Sequence, residues 1–194
     1  MRVVLVFSIV ALLSAGCASI GSPFSKIKPD YSALPADAMK AVAKEIETAI
    51  AKGEREPKIA DQGGVVVNNE SVMQAIRTRA ARLELIDGML NSGFAYEDNH
   101  GLITIQRNAA YKKTGTSQDR DRNAVAIISE NQSRWTLYEG IVDASHFSPR
   151  ALGAIQQIFH EARVDVLKDG QKYQDATGAI VAKGGAPRTA PAVK

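Results

Sequence analysis

Four stretches of the chain carry apolar residues at the spacing of a helical face, and three connecting segments separate them, of which the first two contain glycine. The first stretch covers residues 36–52, with Pro35 at its opening turn and Gly53 where a left-handed cap would end it. Its apolar positions share one face: Met39, Val42, Ile46 and Ile50. We expect this face to be directed toward a core or a partner, because it lacks the bulky aromatic residues typical of lipid-binding helices.

A second helix is predicted over 70–91, with Asn68 or Asn69 as its N-cap and Gly93 after its end. Its predicted buried face consists of aliphatic residues: Val72, Ile76, Leu83, Ile86 and Leu90. Three arginines lie between these positions: Arg77, Arg79 and Arg82. Two interpretations of the arginines are open, a solvated helix face or a contact with an anion or a phospholipid headgroup.

The longest predicted helix covers 119–144 and is the expected centre of the fold. One stripe contains its predicted core positions: Ala124, Ile128, Trp135, Tyr138 and Val142. Asn131 occupies the gap in this stripe, where an apolar residue would be expected. Its amide is interpreted either as a buried group satisfied by neighbouring backbone or as a polar contact to a partner.

Ser148 and Pro149 favour the start of a fourth helix, as its N-cap and its first residue. The inward-facing positions of this helix are apolar: Leu152, Ile155, Phe159, Ala162 and Val166. Turn chemistry predicts two hairpins, which are centred on Asp98-Asn99-His100-Gly101 and Asp175-Ala176-Thr177-Gly178. The run Val65-Val66-Val67 is predicted as an edge strand, and the polar segment 107–118 as a loop.

These elements predict a helix-rich α+β fold, with about four helices and two short β-hairpins in a single domain over 36–183. Residues 17–35 are interrupted by prolines and glycine, and are interpreted as a tether. The tail over 184–194 is predicted to be disordered.

The amino-acid composition limits the classes of protein to which this chain can belong. Hydrophobic residues make up 45% of the chain, a normal value for a globular protein. The formal charge of +3 at pH 7 is too small to indicate nucleic-acid binding, and no arginine-rich strip with interleaved aromatic residues is present. A single cysteine excludes an intramolecular disulfide framework.

The single cysteine follows a segment typical of secretory signal peptides. Arg2 precedes an apolar run over 3–13, which is shorter than the roughly 20 residues that a membrane-spanning helix needs. The motif Leu12-Leu13-Ser14-Ala15-Gly16-Cys17 then resembles the lipobox of bacterial lipoproteins, in which the cysteine is acylated and becomes the first residue. The sequence predicts a lipoprotein signal peptide over 1–16 and lipidation, by palmitate-type chains, at Cys17.

The predicted acyl chains fix the expected location in the cell envelope. The resemblance to bacterial lipoproteins implies three chains, which would attach the protein permanently, since a single chain gives only reversible binding. Ala18 and Ser19 follow the cysteine, and no aspartate stands directly after it. The resemblance to bacterial lipoproteins of the enterobacterial type then implies the outer membrane, on the side that faces the periplasm. Two alternatives remain, a secreted protein cleaved after Ala15 or Gly16 and an uncleaved N-terminal anchor.

Three groups of short motifs occur in a fixed order between about Leu83 and Lys183. They are Gly93-x-x-x-Glu97 leading to Gly101-Leu102, then Glu130-Asn131-x-x-Arg134-x-x-x-Tyr138, then Gly170-x-x-Tyr173-Gln174 and Gly178. In order and spacing this region resembles the YdbL-like family of bacterial envelope proteins, a domain of unknown function. The sequence departs from the family at Tyr96 and Ile180, where relatives often have glycine and tryptophan.

The resemblance implies a non-enzymatic accessory of envelope assembly or lipid homeostasis. Its relatives are associated with large AsmA-like bridge proteins and a small lipoprotein, which are therefore the expected partners beside the membrane. The motif residues are candidates for partner binding: Glu97, Asn131, Arg134, Tyr138 and Tyr173. An alternative from a different class is a module that binds a small ligand, such as a lipid or a cell-wall glycan.

No catalytic or metal-binding arrangement emerges from the sequence, so we expect neither an enzyme nor a cofactor. The pair His160-Glu161 lacks the second histidine of a zinc-protease helix, because Val164 stands four residues after His160. The alternating charges of Asp119-Arg120-Asp121 fit the start of a helix better than a metal site. No G-x-S-x-G motif accompanies the three histidines, and no glycine-rich phosphate loop is present.

Overall fold

The computed structural model describes residues 29–185. The predicted signal peptide, residues 17–28 of the predicted tether, which include Cys17, and residues 186–194 of the predicted tail lie outside these residues. The described chain contains six α-helices and four strands, with bounds α1 Ala36–Ala51, α2 Glu70–Ala81, α3 Leu83–Asn91, β1 Ala95–Glu97, β2 Ile103–Ile105, α4 Ala109–Lys113, α5 Ser117–Ala144, α6 Leu152–Val166, β3 Lys172–Gln174 and β4 Ile180–Ala182. The helix-rich α+β class is therefore confirmed.

The helix count of about four is wrong, for two local reasons. The predicted helix over 70–91 is two helices that meet at Arg82. Val72 and Ile76 of α2 are buried in one apolar cluster, whereas Ile86 and Leu90 of α3 are buried in another, so the chain changes direction between them.

The predicted loop over 107–118 contains the other additional helix, α4. Asn108 caps α4 by accepting a hydrogen bond from the Tyr111 backbone N–H. Thr116 forms a reciprocal capping box with Asp119, which starts α5 at Ser117 rather than at 119. Both helix starts are therefore specified by short polar side chains.

The two predicted hairpins are present, but they join in one four-stranded sheet. The strand order is β2-β1-β3-β4, in which β1 pairs antiparallel with β2, and β3 pairs antiparallel with β4. The two hairpins associate through parallel pairing of β1 with β3, where Glu97 lies opposite Tyr173. The predicted strand at Val65-Val66-Val67 is wrong, since this segment makes only an isolated bridge from Val65 to Gln62.

Apolar side chains form two clusters. The first is made by α1, α2, α6 and the C-terminal half of α5, together with residues before and after α1. It includes Leu34, which is buried, and a 3-10 turn at Tyr31–Ala33 precedes it. Residues 31–34, predicted as part of the tether, therefore belong to the folded part of the chain. The second cluster lies between α3, β1, β2 and the N-terminal half of α5.

The predicted core stripe of α5 is displaced around the helix. Tyr138 and Val142 are buried as expected, but Ile128 is 68% exposed and Ala124 and Trp135 are only half-buried. The buried face contains these residues instead: Ala126, Ile127, Glu130, Arg134, Leu137, Tyr138, Ile141 and Val142. The prediction followed the large aromatic side chains, whereas the observed face includes two charged residues that a search for apolar positions passes over.

The two hairpins share one sequence pattern. Gly93-x-x-Tyr96-Glu97-Asp98-x-x-Gly101 in the first corresponds to Gly170-x-x-Tyr173-Gln174-Asp175-x-x-Gly178 in the second. In both turns the aspartate accepts hydrogen bonds from backbone N–H groups two and four residues later, and the glycine has a positive φ. The sheet is thus built from two copies of the same strand–turn–strand unit.

Candidate functional site

A chain of alternating acidic and basic side chains lies in the interior. We call it the buried charge chain, and its members in order of contact are Glu47, Arg79, Glu130, Arg134, Glu97 and Arg163. All six residues are at most 5% exposed. Because an unpaired charge in this environment is strongly unfavourable, each member depends on its neighbours in the chain.

The contacts at the first end of the chain are charge-assisted hydrogen bonds. The Arg79 guanidinium donates both terminal N–H groups to the two Glu47 oxygens, at 2.7 and 2.9 Å. Its Nε donates to Glu130 at 2.9 Å. Arg82, which is partly exposed, donates to the other Glu130 oxygen at 3.1 Å. This end therefore connects α1, α2 and α5, and Arg82 links it to the surface.

Arg134 joins the helices to the sheet. Its Nε donates to Glu130 at 3.0 Å, one turn earlier on α5, and its two terminal nitrogens donate to the two oxygens of Glu97 on β1. Glu97 also accepts from Arg163 Nε of α6 at 2.9 Å. The chain of contacts thus passes between the two apolar clusters and connects five secondary-structure elements.

Both central carboxylates are ionised at neutral pH. Burial alone would raise the pKa of Glu97, but the charges of Arg134 and Arg163 outweigh it and hold the pKa at about 2. Arg79 and Arg134 lower the pKa of Glu130 to about 2 against the same effect of burial. These pKa values describe stable ion pairs, in which the carboxylates are held as anions rather than poised to exchange protons near pH 7.

The backbone of the first hairpin is bonded directly to α5. The Asn131 side chain accepts from the Ile103 N–H and donates to the Ile103 carbonyl, both at 2.9 Å. The Gly101 carbonyl accepts from the Tyr138 hydroxyl at 2.8 Å and from Arg134 at 3.2 Å. Asn131 therefore occupies the outer edge of β2 as an additional strand would.

The candidate partner-binding residues divide into two groups. Glu97, Arg134 and Tyr138 are at most 1% exposed, so their side chains contact one another and the hairpin instead of forming an exposed surface. Asn131 and Tyr173 are half-buried. For Asn131 the structure supports the interpretation of an amide satisfied by backbone, and partner contact by Asn131 or Tyr173 stays a prediction.

The three arginines of the second predicted helix also have different environments. Arg79 is buried, so neither a solvated face nor a headgroup contact describes it. Arg82 is half-buried against Glu130, and only Arg77 forms surface ion pairs, with Glu56 and Glu70. Arg77 borders a shallow groove of about 380 Å³, which is also lined by Arg55, Glu56, Gln74, Thr78 and Ala81.

Of the histidines, His160 has the most unusual environment. It is 6% exposed on α6, its ring centroid lies 6.5 Å from that of Tyr173, and burial lowers its pKa. Its Nδ1 has no hydrogen-bond partner within residues 29–185. His100 and His146 are exposed. Within the part of the chain that the structure describes, no group of histidine, cysteine and acidic residues is arranged to hold a metal ion.

Sequence reasoning missed three members of the buried charge chain, Glu47, Arg79 and Arg163, although a signal for them existed. Each continues an apolar helical stripe: Glu47 is followed by Ile50 after three residues, Arg79 follows Ile76 by three, and Arg163 follows Phe159 by four. Periodicity assigns these charged residues to core positions. When an oppositely charged residue occupies a core position on another helix, the two together indicate a buried ion pair.

The buried charge chain is suited to a structural role, in which its ion pairs hold the helices and the sheet together. Its carboxylates and guanidinium groups are paired with one another and closed to solvent, so they are not available to a substrate.

No helix among residues 29–185 has both the length and the apolar character needed to cross a membrane. Comparisons with models of protein families, with curated proteins and with solved structures find no match to this chain.

Proposed function

We propose that this protein is a membrane-anchored lipoprotein of the bacterial envelope that acts by contact rather than by catalysis. It serves as an accessory or chaperone-like component of envelope assembly or lipid homeostasis. The observation that carries the proposal is the lipobox-like run that ends at Cys17, the single cysteine of the chain. Acylation there attaches the protein, in this proposal to the outer membrane on its periplasmic side.

The interior supports a role without catalysis. The charged residues of the first two motif groups, Glu97, Glu130 and Arg134, are engaged in mutual ion pairs and are at most 3% exposed. They hold the hairpins against the helices, and the outer faces of the same elements remain for contacts. The proposed partners are an AsmA-like bridge protein or a small lipoprotein, as the YdbL-like resemblance implies.

Mass spectrometry of the protein purified from its native host tests the anchor. We expect the mature chain to begin at Cys17 and to carry three acyl chains, and a Cys17→Ser variant to leave the membrane fraction. An unmodified thiol at position 17 would contradict the proposed attachment.

Crosslinking in intact cells tests the mode of action. Recovery of one envelope protein in a fixed ratio to this chain is the expected result, with the Cys17→Ser variant as a control for membrane proximity. Recovery of a lipid or a cell-wall glycan without any protein would favour the alternative, a module that binds a small ligand.

A further inference from the structure

One region of the surface combines exposed apolar side chains with most of the excess positive charge. Val125 and Ile128 of α5 are 62% and 68% exposed, more than the other large hydrophobic residues that the structure describes as exposed. They lie three residues apart and therefore on one side of the helix. An apolar pair this exposed costs solvation free energy unless another surface covers it.

The positive charge is concentrated in the adjacent sequence. The segment 107–122 contains five basic and two acidic residues, so its surplus equals the formal charge of +3 of the whole chain. Of the two acids, Asp119 is engaged by Thr116 and Arg122, and Asp121 is exposed. The rest of the chain is balanced, so an anionic surface would be attracted to this segment in particular.

The fold places the basic segment next to the N-terminal half of α5, the half that carries the apolar pair. Asn131 is bonded to Ile103, and the Tyr111 hydroxyl donates to the Arg120 carbonyl, so the chain between β2 and α4 runs along the N-terminal half of α5. Val125 and Ile128 lie within that half. We define the basic apolar face by its exposed members: Arg107, Lys112, Lys113, Arg122, Val125 and Ile128.

We propose that the basic apolar face docks on an anionic lipid surface. Cationic side chains around exposed aliphatic groups are the chemistry that recognises such a surface, because the cations attract acidic headgroups while the aliphatic groups enter the interface. The proposal rests on the proposed function for its location, since an acylated chain is already held at a membrane. Docking would then fix the orientation of the folded part relative to that membrane.

Binding to vesicles tests the face without the anchor. The probe protein is the chain over 17–194 with Cys17→Ser, and the vesicles are phosphatidylcholine with or without phosphatidylglycerol. We expect sedimentation only with the anionic vesicles, and weaker binding at high salt, which screens the attraction. Each cation near an anionic surface contributes roughly fivefold to binding, so Lys112→Glu with Lys113→Glu should weaken it at least tenfold.

Matched variants separate the face from net charge and from hydrophobicity in general. Lys40→Glu with Lys44→Glu makes the same charge change on exposed positions of α1, and should retain more binding than the change on α4. Val125→Ser with Ile128→Ser should weaken binding, whereas Leu85→Ser, at a residue 43% exposed on α3, should not. Because all of these side chains are exposed, the thermal unfolding midpoints should stay close to that of the probe protein.

Three results would overturn the proposal: equal binding to neutral vesicles, equal losses in the α1 and α4 variants, or self-association that Val125→Ser abolishes while vesicle binding is unchanged. The last result would assign the apolar pair to contact between copies of the chain. Mass spectrometry of Cys17 is independent of these measurements. A failure of docking is therefore distinguishable from a failure of the proposed anchor.

Discussion

At the scale of single residues, the charged side chains of the interior depend on one another. Glu97 contacts two guanidinium groups, and its removal would leave Arg163 without its carboxylate partner and Arg134 with Glu130 alone. A buried pair adds little net stability relative to an apolar core, but breaking one is expensive because the remaining charge stays buried. The members of the buried charge chain are therefore more sensitive to substitution than their modest net contribution suggests.

Glu97→Gln should lower the free energy of unfolding by about 3–5 kcal/mol, since it removes the negative charge and leaves its arginines buried. Urea denaturation at pH 7 measures this loss. Glu56→Gln is the matched control, because Glu56 makes an ion pair with Arg77 at the surface, and it should change stability little. Equal effects of the two substitutions would show that the position of Glu97 in the interior has no importance.

Asn131→Asp should destabilise the protein by about 1–3 kcal/mol, because a carboxylate cannot donate to the Ile103 carbonyl. The loss should be localised at the edge of β2. Hydrogen exchange of the Ile103 amide is expected to become faster, whereas amides within α1 should be affected only as far as global stability falls. Unchanged protection at Ile103 would argue against the strand-like role of the Asn131 side chain.

At the scale of elements, α5 carries the contacts that join the helices to the sheet. Its buried face runs from Ile127 through Glu130 and Arg134 to Leu137 and Ile141, so apolar and charged residues share one stripe. The apolar ends of this stripe belong to different clusters, and the charged centre lies between them. The rotation of α5 is therefore set by ion pairs as well as by hydrophobic burial.

Leu137→Ala should cost about 2–5 kcal/mol, as expected for an aliphatic side chain that is fully buried. Trp135→Ala should cost less, although tryptophan is the larger residue, because Trp135 is only half-buried. Thermal or urea unfolding of the two variants compares them directly. A larger loss for Trp135→Ala would support the stripe that the sequence predicted instead of the observed one.

The shared turn of the two hairpins gives a second test at this scale. Gly101 and Gly178 both have a positive φ, which costs an alanine about 1–2 kcal/mol. A Cβ at Gly101 would also lie 2.8 Å from the Gln156 carbonyl oxygen, whereas at Gly178 the nearest atom is 4.0 Å away. Gly101→Ala should therefore lower the unfolding midpoint more than Gly178→Ala. Equal midpoints would mean that only the backbone conformation matters.

At the scale of the whole molecule, the buried charge chain and His160 make stability depend on pH. The folded protein holds Glu97 and Glu130 as anions with a pKa of about 2, below the ordinary value of 4.5. Between these values the unfolded chain binds more protons than the folded chain, so acid favours unfolding. His160 acts in the same direction at higher pH, because burial lowers its pKa below 6.5.

We expect the free energy of unfolding to decrease in two stages as the pH falls. A shallow decrease begins near pH 6.5, where His160 of the unfolded chain takes up a proton, and a steeper one lies between pH 4.5 and about 2. Urea denaturation across this range measures both. His160→Gln should remove the first stage and leave the second, and a flat profile below pH 4.5 would contradict the ion-pair assignment.

The sequence by itself determined the positions of the long helical segments and of both hairpins, because periodicity, N-caps and turn residues are local signals. The first helix and both turns are cases where these signals and the structure agree. The N-caps Asn108 and Thr116 are local signals as well. In a polar segment, however, asparagine and threonine are equally typical of a loop, so the sequence predicts one over 107–118.

Only the tertiary structure decided which charged residues are interior and how the hairpins join. Arg79 continues an apolar stripe in the sequence, but its burial depends on Glu47 and Glu130, which are remote in the chain. The parallel pairing of β1 with β3 likewise requires elements separated by α4, α5 and α6. Ion pairs and strand pairing are satisfied by partners in space, so one segment alone cannot specify them.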